Sequence, residues 1–306
     1  DNGMTIFHGV FSVLPTPFTP DDRVDADSLR RVVDLYLRAG VNGLTALGVT
    51  SEAVKLTDTE RRLVQDTVLA HTAGRVPVVV TATAAGTAAT VEYARAARAA
   101  GAAAVMVSPP RMPKLNSETV CRHYRELAAA VDVPIVLQDF PPASGYAMEP
   151  ALLARIAREV PAVQAIKLED APTPFKTARI REQLQGHPIT IFGGLGGMYL
   201  LEELLAGADG AMTGFAYPEV LVEVVGRFRA GRRDEAADAF YAFVALMRFE
   251  FQEGIGLAIR KEMLHRRGAI AHPAVRPPGA ALDAATREAL DMLLQWARTK
   301  QEAAWI

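Results

Sequence analysis

The chain has 306 residues, 50% of them hydrophobic and 22% charged, which is enough apolar material for one large core or two modest ones. A net charge of -2 gives no electrostatic argument for nucleic acid as a partner, and no apolar run is long enough to predict a membrane span. The single cysteine, Cys121, excludes an internal disulfide and favours a reducing compartment, so we expect a cytoplasmic location.

Short β-like runs alternate with amphipathic helical runs along most of the chain. Strands are predicted over residues 10–15, 43–47, 77–81, 103–107, 134–137, 162–168, 189–192 and 210–213. Helices are predicted over 27–39, 58–71, 88–100, 117–131, 150–159, 174–184 and 198–206, with an eighth beginning near Pro218. The second of these helices starts with a capping-box pattern formed by Thr57 and Glu60. Repeated alternation of this kind implies parallel strands joined by right-handed crossovers.

Eight strand–helix units in about 230 residues have the size of a closed (β/α)8 barrel, also called a TIM barrel. A doubly wound open sheet is the alternative that the alternation alone leaves open. Only helical patterns follow Asp234, and Arg276–Gly279 is typical of a turn between two helices. We therefore predict an α/β fold, with a barrel over residues 5–230 and a helical extension over residues 231–306 that packs on it.

A lysine ends the sixth predicted strand, at the edge where barrels of this type carry their active sites. Because side chains alternate along a strand, one face, expected to be the barrel interior, carries Val163, Ala165, Lys167 and Glu169. Burial disfavours a charged ammonium group, which would free the amine of Lys167 to attack a carbonyl carbon. A purely structural ion pair between Lys167 and Glu169 is the alternative.

Three other loops follow predicted strands at the same end. The loop from Gly48 to Glu52 combines a glycine turn with two hydroxyl side chains and can hold a carboxylate. Gln138 and Asp139 follow the fifth strand and are placed to orient a substrate, unless they form an ordinary turn. Glycines over residues 193–197 allow backbone to approach a ligand closely, with a phosphate site as an alternative.

No cofactor is predicted from the residue pattern. The six histidines are scattered, with no pair four residues apart on a helix, so no metal site is expected. The glycine-rich segment does not follow the first strand of a nucleotide-binding unit, so no nucleotide is expected either.

Several segments keep the order and spacing of one known family: Thr16-Pro17-Phe18, the Gly-x-Thr-x-Glu loop at 48–52, Val107-Ser108-Pro109-Pro110, residues 141–145, Ile166-Lys167 and Gly207-Ala208-Asp209-Gly210. Together they resemble the dihydrodipicolinate synthase and N-acetylneuraminate lyase family over nearly the whole chain. The resemblance implies an (α/β)8 barrel with extra C-terminal helices, usually assembled as a homotetramer built as a dimer of dimers. It also implies a lysine imine with pyruvate or another 2-oxo acid and a loop that holds the carboxylate, roles that Lys167 and Thr50 match.

Four positions depart from the family pattern. Gln138 stands where the usual Tyr-Asn-x-Pro motif has its proton-shuttling tyrosine, and its amide does not titrate. Val49 replaces the first threonine of the carboxylate loop. The tyrosine that synthases contribute across a subunit interface would fall within residues 109–111, where this chain has no tyrosine. Ala143 aligns with the arginine that synthases use for their second substrate. Dihydrodipicolinate synthesis is therefore not expected.

The remaining pattern is similar to that of the family's 2-keto-3-deoxy sugar acid dehydratases. We predict that Glu169 acts as general base or acid beside a Lys167 imine, removing a C3 proton so that the C4 hydroxyl leaves as water, as with L-2-keto-3-deoxyarabonate. Gln138 would orient substrate hydroxyls or a water molecule. A pyruvate-dependent aldolase is the nearest alternative, and a catalytically silent sensor of 2-oxo acids is an alternative of another class.

The predicted site has two groups of residues. The catalytic residues are Lys167, Glu169 and Gln138. The predicted substrate contacts are Gly48, Val49, Thr50, Ser51, Asp139, Gly194, Leu195 and Met212.

Overall fold

The computed structural model describes residues 5–300, and its eight strands form one closed parallel barrel. Each strand pairs with the next along the chain, and the last pairs with the first. The strands are β1 (Gly9–Val13), β2 (Gly43–Ala46), β3 (Val78–Thr81), β4 (Ala104–Val107), β5 (Ile135–Asp139), β6 (Val163–Leu168), β7 (Thr190–Gly193) and β8 (Gly210–Thr213). The predicted (β/α)8 barrel is confirmed.

Helices surround the barrel and continue beyond it. They are α1 (Ala26–Arg38), α2 (Asp58–Thr72), α3 (Thr87–Ala99), α4 (Ser117–Ala130), α5 (Pro141–Ser144), α6 (Pro150–Glu159), α7 (Thr173–Leu184), α8 (Leu200–Leu205), α9 (Pro218–Arg229), α10 (Arg233–Glu250), α11 (Gly256–Arg266) and α12 (Ala284–Lys300). The capping box of α2 is present as predicted, with the Thr57 side chain accepting from the Glu60 N–H. Helix α8 is shorter than predicted because Tyr199, with φ at −116° and ψ at 17°, is not helical. A separate 3-10 turn with Gly196 and Gly197 at positive φ precedes it.

The last three helices form the C-terminal extension. The predicted boundary at residue 230 falls between α9 and α10, and α10 packs on α9 and α12. The predicted turn at Arg276–Gly279 lies between α11 and α12. No helix in residues 5–300 is both long and apolar enough to cross a membrane.

Apolar side chains form two separate clusters, one between the barrel and its helices and one inside the barrel. Interior side chains of such barrels stack in layers of four, each layer supplied by alternate strands. One layer consists of Phe11, Val79, Val136 and Phe192, and the rings of Phe11 and Phe192 lie 5.2 Å apart. These large side chains close the interior below the carboxyl ends of the strands.

Toward those carboxyl ends the interior becomes polar. Strand register places Thr45, Met106, Lys167 and Met212 in the layer above the phenylalanines. The layer above that contains Val13, Thr81, Gln138 and Gly194. Polar side chains at this depth are costly to bury, so their concentration here identifies the end of the barrel where a ligand would bind.

One predicted orientation is wrong. Val163 was expected inside the barrel beside Ala165 and Lys167, but it packs in the outer cluster against the helices. The register between β5 and β6 shifts at this point, because Ile135 pairs with Val163 while Val136 pairs with Ala165. The intervening Gln164 forms a bulge, so the residue that precedes it, Val163, faces outward where simple alternation would direct it inward.

Candidate active site

Lys167 extends into the barrel from β6 and is 5% exposed. Its Nζ lies 3.2 Å from Oε1 of Glu169, and within residues 5–300 this is the one ion pair that the amine makes. Met106 and Met212 occupy the same layer and carry no charge. The amine is therefore buried, paired on one side and otherwise surrounded by groups that do not bind its nitrogen.

Gln138 and Glu169 complete a chain of contacts with Lys167. Gln138 pairs with Lys167 in the β5–β6 register, and its Nε2 donates to Oε1 of Glu169 at 2.9 Å. The Glu169 N–H donates to the carbonyl of Asp139 at 2.9 Å, which extends the strand pairing one residue past β6. The structure thus brings the three predicted catalytic side chains together, with one carboxylate oxygen between an amide donor and the amine.

Gly194 makes room for this carboxylate. A Cβ atom at position 194 would lie 2.5 Å from Cγ of Glu169, which is too close for two non-bonded carbon atoms. Any other residue here would therefore displace Glu169. The glycine predicted to contact substrate therefore contacts Glu169 directly. Its neighbour Leu195 is buried with φ at 49°, and Met212 lies in the Lys167 layer.

The loop after β2 faces Lys167 across the barrel, because β2 and β6 are four strands apart in a ring of eight. Residues Val49–Ser51 form a 3-10 turn with Gly48 at its start. The Ser51 hydroxyl donates to the Leu14 carbonyl and accepts from the Gly48 N–H at 3.0 Å. Ser51 therefore holds the loop in place instead of facing a ligand.

Thr50 and Val49 are left on the open side of this turn. Thr50 is half-buried, and its hydroxyl has no hydrogen-bond partner in residues 5–300. Val49 is 49% exposed, so it lies on the rim. Of the four loop residues predicted to bind substrate, Thr50 is the one that presents a free hydroxyl group.

Asp139 does not join the other predicted site residues. It is fully buried beside α7, where its Oδ2 accepts a hydrogen bond from Nζ of Lys176 at 2.6 Å. Burial raises the pKa of Asp139 to about 6, against the opposing effect of Lys176. Alternation explains the placement, because Gln138 faces inward and the next residue must face outward. The predicted substrate contact is therefore separated from the barrel interior.

A second buried carboxylate that sequence patterns did not reveal lies behind the strand end. Glu203 on α8 accepts a hydrogen bond from the Thr173 hydroxyl at 2.6 Å. A Cβ at Gly193 would lie 1.8 Å from its Oε2, so Gly193 and Gly194 admit one carboxylate on each side of β7. Burial raises the pKa of Glu203 to about 7, although the hydrogen bond from Thr173 lowers it, and the charges of Glu202 and Glu169 add smaller increases.

The loop that carries Thr50 is tied to the C-terminal extension. Glu52 follows the loop with φ at 60°, and its carboxylate pairs with Lys261 of α11 and with Lys55. Nζ of Lys261 also donates to the carbonyls of Thr16 and Ala274. These ion pairs and hydrogen bonds hold the Thr50 loop against α11. In residues 5–300, no three His, Cys, Asp or Glu side chains are grouped so that they could hold a metal ion.

Comparison with known proteins finds one matching family. The model of the dihydrodipicolinate synthetase family matches residues 6–297. An L-2-keto-3-deoxyarabonate dehydratase from Azospirillum brasilense is 34% identical over 306 residues, covering 94% of this chain and 96% of that protein.

Two solved structures are also similar. A dihydrodipicolinate synthase from Rhodopseudomonas palustris is 38% identical, with a TM-score of 0.89 over 95% of this chain and 97% of that one. YagE of E. coli K12, a prophage protein solved in complex with pyruvate, is 25% identical, with a TM-score of 0.89 over 96% of this chain and 99% of that one.

Proposed function

The chain belongs to the dihydrodipicolinate synthetase family of lyases, and from this premise we propose that Lys167 forms a Schiff base with a 2-oxo acid and that the enzyme dehydrates a 2-keto-3-deoxy sugar acid. The observation that carries the proposal is the contact chain from Gln138 through Glu169 to Lys167. It joins the nucleophile, Lys167, to the carboxylate of Glu169, which can accept and donate protons, and to the amide of Gln138, which cannot.

In the first step the Lys167 amine attacks the C2 carbonyl carbon of the substrate. The carbinolamine loses its oxygen as water and leaves a protonated imine, which withdraws electrons from C3. Thr50, on the opposite strand end, is placed to bind the C1 carboxylate with its hydroxyl and the adjoining N–H groups of the turn. The substrate would then span the barrel mouth from β6 to β2.

Glu169 lies beside the amine and is therefore beside C3 of the bound substrate. As a carboxylate it takes the C3 proton, and the resulting enamine expels the C4 hydroxyl, which accepts a proton and departs as water. Gln138 holds the Glu169 carboxylate by its hydrogen bond during both transfers. The unsaturated imine that remains then isomerises: C5 and its hydroxyl each lose a proton, C3 and C4 each gain one, and C5 becomes an aldehyde. Addition of water to the imine carbon releases the 2-oxo acid semialdehyde and restores the amine.

The dehydratase relative and the pyruvate-bound structural neighbour support this proposal from outside the chain. Aldol cleavage with release of pyruvate is the second candidate, because the similar solved structures include a dihydrodipicolinate synthase and a protein in complex with pyruvate. It needs a proton relay at the C4 hydroxyl, where this chain offers Gln138 in place of a titrating side chain. Homotetrameric assembly and a cytoplasmic location stay predictions.

The test is incubation of the purified protein with L-2-keto-3-deoxyarabonate, followed by separation of the products. We expect a 2-oxo acid semialdehyde with no pyruvate. Pyruvate together with an aldehyde would establish cleavage in place of dehydration. Lys167→Met serves as the control, since it should give neither product.

A further inference from the structure

Thr81 carries a hydroxyl group that faces the barrel interior without a partner. It ends β3, where Val79 faces inward and Val78 and Val80 pack outward, so alternation directs Thr81 inward. Its Oγ1 is buried and makes no hydrogen bond to any residue in the described range 5–300. A buried hydroxyl without a partner costs free energy, so such a group at a ligand-binding end calls for an explanation.

The position of Thr81 relative to the imine matters. Thr81 shares its layer with Gln138 and Gly194, one layer above Lys167 and toward the open end of the barrel. A 2-oxo acid joined to Lys167 extends from C3 onward in that direction, because the phenylalanine layer closes the other side. The carbon chain therefore passes between Thr81 on β3 and Gln138 on β5.

We propose that Thr81 is a specificity-determining residue that binds a hydroxyl group on the carbon chain of the substrate. The inference rests on the proposed Schiff base and adds the substrate class: hydroxylated 2-oxo acids are preferred over pyruvate, which has no chain hydroxyl. A site that pairs a buried polar group only with the hydroxylated ligand discriminates against the ligand that lacks it. Thr45 also has an unpartnered buried hydroxyl within the described residues, but it lies in the Lys167 layer, too deep for the chain.

The experiment uses Thr81→Val, which keeps the shape of the side chain and removes the hydroxyl. Wild type and variant are mixed with equal concentrations of 2-keto-3-deoxyarabonate and pyruvate and reduced with borohydride. Mass spectrometry then gives the ratio of the two adducts. We expect the variant to lose about 5- to 10-fold of the preference for the hydroxylated acid. Thr45→Val and Thr72→Val remove unpartnered buried hydroxyls elsewhere and should leave the ratio unchanged.

An adduct ratio in Thr81→Val equal to that of wild type overturns the inference. So does an equal loss in Thr45→Val and Thr72→Val, because it would make the effect a general one of buried hydroxyls. Isotopically labelled pyruvate distinguishes the added competitor from pyruvate released by cleavage, and the adducts of the dehydrated or cleaved sugar acid are counted with the parent acid, so the ratio reports binding whichever bond the enzyme breaks. If wild type forms no adduct with either acid, the proposed function fails first, and this inference fails with it.

Discussion

Two buried lysines near the carboxyl end of the barrel differ in the number of partners that their amines have. Lys261 is fully buried, and its Nζ pairs with Glu52 and donates to two backbone carbonyls. Lys167 is nearly as buried, and among the residues that the structure describes its amine has one partner, Glu169 at 3.2 Å. Burial alone therefore does not mark a reactive lysine. A lysine whose N–H groups are all bound stabilises the fold, whereas one with a single partner keeps its nitrogen available to a ligand.

The surroundings of Lys261 also show what its charge costs. Burial lowers the pKa of Lys261, and the carboxylate of Glu52 opposes that effect. The pair joins residues 209 positions apart and connects the Thr50 loop to α11. We refer to this as the Lys261 pair, in contrast to the Lys167 pair with Glu169. The comparison predicts that substitutions in the first change stability and that substitutions in the second change catalysis.

The largest expected effect is that of Lys167→Met. Without the amine no imine forms, so kcat should fall by about 10⁴-fold or more, which is roughly 5.5 kcal/mol of transition-state stabilisation. Steady-state kinetics measures the loss. The urea midpoint should fall less than in Lys261→Met, because Glu169 is less completely buried than Glu52 and keeps its hydrogen bond from Gln138. Residual activity within 10-fold of wild type, an order-of-magnitude limit, would show that another group is the nucleophile.

The second-largest loss of activity should be that of Glu169→Gln. The amide keeps the size of the side chain but cannot accept the C3 proton, so kcat should fall by about 10²- to 10⁴-fold. Imine formation with pyruvate should survive, since it uses the amine of Lys167. A variant that turns over normally would contradict the role of Glu169, and a variant that no longer forms the adduct would place Glu169 at the earlier step.

Lys261→Met tests the other side of the comparison. It leaves Glu52 buried without its closest cation, and loss of one partner of a buried pair destabilises a protein by about 3–5 kcal/mol. Lys55→Met is the matched control, because Lys55 contacts the same carboxylate from a more exposed position. We expect Lys55→Met to lower the free energy of unfolding by less than about 1 kcal/mol. Equal urea midpoints for the two variants would remove the distinction between them.

A pH effect on stability should come from Glu203, a buried carboxylate that forms no ion pair within residues 5–300. Its pKa is raised from 4.5 to about 7, mainly by burial, so the folded state holds a proton that the unfolded state releases above pH 4.5. Wild-type stability should therefore fall as the pH rises from 4.5 to about 7, by up to about 3 kcal/mol. Glu203→Gln removes this contribution, so its urea midpoint should fall less steeply than that of wild type over the same pH range. The slope that remains includes a contribution from Asp139, whose pKa is also raised by burial. Parallel slopes in the two proteins would contradict the assignment.

Local periodicity was sufficient to predict eight strand–helix units and the central pair, whereas closure of the sheet into a barrel was predicted from the number and size of those units and from the family resemblance. Repeats of two and of 3.6 residues are properties of short segments, so eight units and the inward direction of Lys167 and Glu169 could be read from the sequence. Val163 was misplaced because its bulge depends on register with β5, which lies on another segment. The same alternation that correctly directs Gln138 inward also excludes Asp139 from the interior, a consequence not drawn from the sequence.

Contacts distant in the chain could not be predicted. The Ser51 hydroxyl, expected to face the substrate, is bound to the Leu14 carbonyl 37 residues away. Burial of Lys176 beside Asp139 and of Lys261 beside Glu52 could not be predicted from the local sequence, since a lysine on an amphipathic helix is usually at the surface. Thr173 and Glu203 meet across two helices that are adjacent only in the folded barrel.

The most direct test of the account is borohydride reduction of the protein in the presence of pyruvate, followed by peptide mapping. We expect one adduct per chain, on the peptide that contains Lys167, with Lys261 and Lys176 unmodified. An adduct on either of those lysines would show that partner number does not decide reactivity. The absence of any adduct would contradict the Schiff-base mechanism itself.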